Sequence, residues 1–170
     1  MAFARTFLFT IVIITLLHPF DAVPSKFVKD FCGGQNNPHA CLSAITPDPK
    51  STTVSNYHDL ALIIFKLAVS NTTNSRNFLI SSKGKYKYPR LINGCINAFR
   101  YSRNSFNSAF GEVDEDPQTC SYDAFVAKDG AEECESYFKH AGIKIPPEIS
   151  IRAGYIVLYS VIGQNVADHL

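Results

Sequence analysis

The sequence predicts an all-α fold: an up-and-down four-helix bundle preceded by an N-terminal helical hairpin and held by disulfides. Three observations carry that expectation. Apolar residues recur at three- and four-residue steps over long segments, the spacing of one helix face. Proline, glycine and asparagine stand where helices start and stop rather than within them. Five cysteines follow an apolar leader, which places them in an oxidising compartment where pairing is the norm.

The leader comes first. Arg5 supplies a positive start, and Phe7 to Leu17 is an apolar run broken only by threonines. About eleven residues suits a signal peptide, whereas a membrane span needs roughly 20. Residues 1–22 are therefore expected to be removed after Ala22, with a cut after Ser25 as the alternative, and residues 23–170 to form one secreted domain. The remaining chain, about 145 residues, is long enough for a real core. Formal net charge is +1 over the whole sequence, with 13 Phe, 8 Tyr and no Trp. No basic stripe argues for nucleic acid.

The hairpin spans about residues 25–46. Ser25 to Phe31 and Pro38 to Ile45 read as short helices, the second opened by Asn37 as N-cap with Pro38 in the first turn. Gly33-Gly34 breaks between them. A Cys32–Cys41 bond, favoured by proximity, would close the hairpin and contribute roughly 2.7 kcal/mol through loop-closure entropy. Pro47 to Thr53 reads as a loop.

The bundle spans about residues 55–170. Asn56, with Asp59 three residues on, starts the first long helix, and Leu60 to Val69 is apolar except for Lys66. Helices apolar on nearly all sides are central ones. Lys83-Gly84-Lys85 breaks the chain, and Pro89 opens a second helix with Ile92, Cys95, Phe99, Phe106, Phe110 and Val113 on its core stripe. Glu112 to Pro117 reads as an acidic loop. Val126, Gly130, Cys134, Tyr137 and Ala141 form a third stripe ended by Gly142 as C-cap glycine. A last helix from Glu148 places Ile151, Tyr155, Leu158, Ile162 and Val166 on one face. A Cys95–Cys134 bond would tie the second long helix to the third, worth roughly 3.9 kcal/mol by the same entropy argument. Four cysteines drawn from five still permit several pairings.

The residues exclude most chemistry. No G-x-S-x-G, H-E-x-x-H, Walker or Rossmann pattern occurs. Metal spacing is absent, and no cofactor is expected. Cys120 with His140 as base is the one nucleophile pair to consider, and an unpaired thiol is the simpler reading. Glu112 to Asp116 and Glu132, Glu133 and Glu135 are acidic clusters that read as solvated surface rather than a glycosidase pair. Asn71-Thr72-Thr73 is an N-glycosylation acceptor. What remains is a scaffold whose task is binding, not an enzyme.

Several segments together resemble the plant invertase and pectin methylesterase inhibitor family. They are Cys32-x8-Cys41 and Cys95-x38-Cys134, Phe27-Val28-Lys29, Asn37-Pro38, Cys41-Leu42, Asp48-Pro49-Lys50-Ser51, Leu60-Ala61-Leu62-Ile63 and Ala131 to Phe138. The resemblance covers the whole mature chain. It implies two disulfides in sequence order, Cys32–Cys41 and Cys95–Cys134, with Cys120 as the free thiol. It also implies a one-to-one complex that occludes the active-site cleft of a cell-wall carbohydrate enzyme, in the apoplast or alternatively the vacuole.

Two targets follow from the resemblance. Pectin methylesterase inhibitors cover the pectin groove with a face of the bundle helices. Invertase inhibitors insert a Pro-Lys-Phe loop before the third long helix. Here Pro117-Gln118-Thr119 falls at that candidate inhibitory loop, without the cation that would meet an acidic glycosidase site and without the ring that would anchor it. Pectin methylesterase is therefore favoured, with acid invertase as the alternative partner and a non-inhibitory helical relative after that. A lipid carrier is disfavoured because Phe99, Phe106, Phe110 and Tyr155 are expected to fill the core.

Overall fold

A computed structural model describes residues 23–170, so the leader and its cleavage site lie outside the described residues. Seven α-helices follow one another, with no strand among the described residues. The first two, α1 (Lys26–Gly33) and α2 (Pro38–Ile45), form the hairpin. Ser25 caps α1 by accepting from the Val28 N–H, and Asn37 caps α2 by accepting from Ala40 with Pro38 in the first turn. Cys32 and Cys41 are bonded and wholly buried. Pro49–Thr52 is a 3₁₀ turn rather than a featureless loop, started by Asp48, whose carboxylate accepts from the Lys50 N–H and from Lys66 Nζ at 2.9 Å.

The bundle is built from α3 (Tyr57–Ser82), α4 (Pro89–Glu112), α5 (Pro117–Val126), α6 (Asp129–His140) and α7 (Pro147–Ala167). Asn56 caps α3 through Asp59, as the pattern requires. Gly142 adopts φ 66°, the left-handed conformation that favours glycine, and Ile143 N–H closes back on Phe138 O at 3.0 Å to end α6. Helix α4 packs on α3, α5 and α6, while α7 lies against α3 and α5 and closes the ring.

The third long helix of the expected bundle is in fact two. The break falls at Ala127–Lys128. Ser160 on α7 donates to the carbonyls of Ala124 (2.6 Å) and Phe125 (3.0 Å), supplying partners for the last turn of α5. The chain then re-enters helix so that Gly130 lies directly against the backbone of α4 at Ala98.

Phe65, Phe99 and Phe106 are the largest fully buried side chains, joined by Ile64, Ile92, Ile149, Ile156 and Ile162. Three residues assigned to the core lie outside it. Phe110 is 41% exposed, Tyr155 42% and Ile151 62%. The buried face of α7 instead runs through Ile149, Ala153, Ile156, Ser160, Gly163 and Val166. Small residues set that rotation: a Cβ on Gly163 would meet Phe65 Cε1 at 2.8 Å, so α7 presents its glycine to the aromatic core and turns Ile151 and Tyr155 outward.

The hairpin is pinned across the start of α3 and the end of α7. Phe27 and Phe31 meet the Tyr57 ring edge-on at 5.0 and 6.4 Å, and Tyr57 stacks on His169 at 4.3 Å. Buried Tyr159 donates to Ala44 O at 2.9 Å, and Asn165 donates to Gln35 Oε1. Burial pushes the Tyr159 hydroxyl up to about 12, so it stays a donor at any working pH.

His58 at the start of α3 reaches Asp114 after α4 at 2.6 Å. Its hydrogen bond to Asp114, aided by one to Asp59, raises the imidazole above its ordinary 6.5. The sign follows: this contact stabilises fully below 6.5 and is lost as pH rises through the higher folded value. An NMR titration of His58 is expected to give a midpoint above 6.5, moving back toward it in Asp114→Asn. An unshifted midpoint in the unmodified protein would show that the two groups do not pair.

Candidate functional site

Asp116-Pro117 is an N-cap followed by a first-turn proline, and this local chemistry makes residues 117–119 helical. Pro117, Gln118 and Thr119 are therefore the opening turn of α5, not a free loop as the acidic run before them suggests. Asp116 accepts from the Thr119 N–H at 3.1 Å and from the Thr119 hydroxyl at 2.7 Å. Those bonds, the hydroxyl's first, hold its carboxyl below the usual range. Gln118 is exposed and Thr119 half-buried, so the turn offers one adaptable amide to a partner.

The surface beside this turn is more distinctive than the turn itself. A groove of about 410 Å³ runs between α5 and the end of α7, lined by Pro117, Gln118, Tyr122, Phe125, Gln164 and Leu170. Tyr122 is 64% exposed and Phe125 41%. Lys128 holds its ammonium 3.9 Å over the Phe125 ring. Ser121 ties the two walls by donating to Asp168 at 2.5 Å. Sequence reasoning passed over Tyr122, Phe125 and Lys128. Their signal was an aromatic pair three residues apart on a helix whose opposite face carries Cys120 and Ala124.

The remaining singled-out residues are scattered. Cys95 and Cys134 are bonded, fully buried, and link α4 to α6 with Cα atoms 4.5 Å apart. Cys120 is the free cysteine and is fully buried. Burial, with Asp123 and Glu112 adding to it, pushes the thiol up to about 12, which removes the thiolate a nucleophile needs. His140 is exposed and hydrogen-bonded to Ser136, so the two never meet as nucleophile and base. Asn71 sits half-buried in the middle of α3, with its carbonyl oxygen enclosed and Thr72 fully buried beside it. Among the described residues no group of three or more His, Cys, Asp or Glu is placed to hold a metal. No helix among them is long and apolar enough to cross a membrane.

A disulfide-stapled helical bundle with exposed aromatics on its surface and its one thiol sealed in the core is the class of protein that the fold and the site define. The family model for plant invertase/pectin methylesterase inhibitor matches residues 26–158. The chain belongs to that family, whose members are inhibitor proteins. No curated protein matches it in sequence. Among solved structures it is similar to a mutant form of a pectin methylesterase inhibitor from Arabidopsis, at TM-score 0.72 and 17% identity over 86% of this chain and 98% of that one. A second structure, that of a pectin methylesterase inhibitor from Arabidopsis thaliana, matches at TM-score 0.63 and 16% identity over 87% and 98%. At such identities the likeness establishes the fold, which is the helical bundle expected from the periodicity.

Proposed function

We propose that the mature chain is a secreted inhibitor of a plant pectin methylesterase. It acts in the apoplast by occluding the enzyme's active-site cleft in a one-to-one complex, without chemistry of its own. The observation that carries this choice of target is the opening turn of α5. Where an invertase inhibitor would insert a lysine and a phenylalanine, this chain presents Gln118 and a Thr119 held by Asp116. A neutral amide has no charge to offer the acidic site of a glycosidase, and the threonine supplies no aromatic anchor. A groove-covering mode that uses a broad helical face asks for neither. Family membership supports the inhibitor reading, and the fold of the two Arabidopsis inhibitor structures agrees with it.

Acid invertase is the second reading, and one observation favours it. Phe125 on the exposed face of α5, two turns beyond Gln118, and Lys128 in the break that follows it lie together and offer the ring and cation that the opening turn lacks.

Paired titrations separate the two. Oxidised mature protein is added at mildly acidic pH to a plant pectin methylesterase and to a plant cell-wall invertase. Esterase activity is expected to fall linearly to an endpoint near one inhibitor per enzyme, with invertase untouched. Loss of invertase activity that disappears in Phe125→Ala would transfer the assignment to the second reading. No effect on either enzyme from folded protein would end the inhibitor reading.

A further inference from the structure

One end of the bundle concentrates positive charge. There the α3–α4 connection meets the α6–α7 connection, as Tyr86 donating to Glu148 at 2.9 Å and Arg152 lying 3.9 Å over the Phe78 ring make plain. Residues 83–90 bring Lys83, Lys85, Lys87 and Arg90, and residues 143–152 bring Lys144 and Arg152. Glu148 is the one carboxylate in these two segments, and it is already bonded to Tyr86. None of the six cations pairs with a carboxylate among the described residues. The chain as a whole is near neutral at +1, so this excess is a matter of placement, and the acidic run from Glu112 to Asp116 lies at the far end of α4.

Three of the cations line a shaped cleft. It has a volume of about 200 Å³, with Tyr86, Tyr88, Ile143 and Pro146 among its walls and Lys85, Lys87 and Lys144 at its rim. Tyr88 is 38% exposed, and Lys87 reaches over its ring at 5.8 Å. Apolar walls with an exposed aromatic ring suit the flat C–H face of a pyranose, and ammonium groups at the rim suit a carboxylate carried on that ring. Repeated carboxylates on a polymer would meet the cations on the α3–α4 connection one after another.

We propose that this end of the bundle binds a polyuronate, a polymer of carboxylated pyranose rings, with one ring in the Tyr88 cleft and neighbouring carboxylates on Lys83, Lys85, Lys87 and Lys144. The inference rests on the inhibitor reading above, because hydrolysis of pectin methyl esters turns a neutral polymer into that polyanion. The inhibitor would then be held where de-esterification has already occurred, by the product of the enzyme it restrains.

The test measures direct binding of the oxidised mature protein to immobilised polygalacturonate at low ionic strength. Its fully methyl-esterified counterpart and duplex DNA serve as comparison polymers. Polygalacturonate is expected to bind on the order of tenfold or more tightly than the esterified polymer, and to release as salt rises. The triple variant Lys85→Gln, Lys87→Gln, Lys144→Gln should lose that margin with its urea midpoint unchanged, since all three side chains are exposed. Tyr88→Ala should weaken polygalacturonate several-fold without changing charge. Equal binding of both pectins, or full binding by the triple variant, would overturn the proposal. So would DNA binding as tightly as polygalacturonate together with no effect of Tyr88→Ala, since that is the behaviour of an unselective basic surface. Esterase inhibition is read on the same preparations. Inhibition without polygalacturonate binding overturns this inference alone, and binding without inhibition removes only the inhibitor reading and leaves the polyuronate site standing.

Discussion

Replacing Cys95 and Cys134 together by alanine is expected to lower the free energy of unfolding by about 4 kcal/mol. The reason lies in the unfolded state. The bond joins residues 39 apart, so its removal returns to the denatured chain the freedom of a loop that spans most of α4, all of α5 and half of α6. Cys32 and Cys41 are only 9 apart, and their double alanine variant is expected to lose about 2.7 kcal/mol by the same relation. Urea midpoints of the two variants should keep that order. A Cys95/Cys134 variant within about 1 kcal/mol of the parent would mean that the loop is already restrained by other contacts when unfolded. In the folded protein Cys120 does not interfere, because a buried thiol held protonated does not attack a neighbouring disulfide, and a mildly acidic buffer keeps it protonated once urea exposes it. Iodoacetamide should leave it unmodified in folded protein and label it in denaturant.

Gly130→Ala is expected to destabilise the protein by about 3 kcal/mol, at the upper end of the overpacking range. A Cβ at this position would fall on the carbonyl oxygen of Ala98 and on Ser102 Oγ, closer than real atoms stand. Ser102 can rotate, but the carbonyl belongs to the backbone of α4 and moves only if the helix does. That helix is tied to α6 four residues further on through Cys134, so the strain cannot relax by sliding the pair apart. Two other glycines serve as controls. A Cβ on Gly94 meets only the Tyr137 ring at 2.7 Å, a side chain that can swing away, so the substitution should cost less. Gly154 faces open space in α7, and alanine there is expected to stabilise by up to about 1 kcal/mol. If Gly130→Ala and Gly154→Ala have equal urea midpoints, the close approach of α4 and α6 is wrong.

Helix ends were the most legible feature of the chain. Asn37-Pro38, Asn56 with Asp59, Pro89 and Gly142 all act where their chemistry places them. Asp116-Pro117 obeys the same rule, and only its position inside a run of acidic residues made it read as loop. Of the candidate surfaces, the sequence drew attention to residues 117–119, while the exposed aromatic face at Tyr122 and Phe125 and the cationic end around Tyr88 drew none. Both are made by residues whose neighbours come from a distant part of the chain, Gln164 and Leu170 in one case, Ile143 and Pro146 in the other.

The rotation of α7 shows the same limit from the core side. Ile151, Tyr155, Leu158, Ile162 and Val166 form a sound apolar stripe, of which Ile162 and Val166 are buried and Ile151 and Tyr155 are not, while Ile149, Ala153, Ile156 and Gly163 form another, and spacing alone cannot choose between them. By itself the sequence determined that this protein is helical, where most helices begin and end, and which residues are small enough for close approach. Those properties arise within a turn of backbone, from capping bonds and steric limits. The tertiary structure decided which apolar face of α7 is buried, where the third helix breaks, and which surface side chains are gathered into grooves. These depend on what stands opposite, and that is settled by contacts such as Gly163 on Phe65 and Gly130 on Ala98, between helices far apart in the chain.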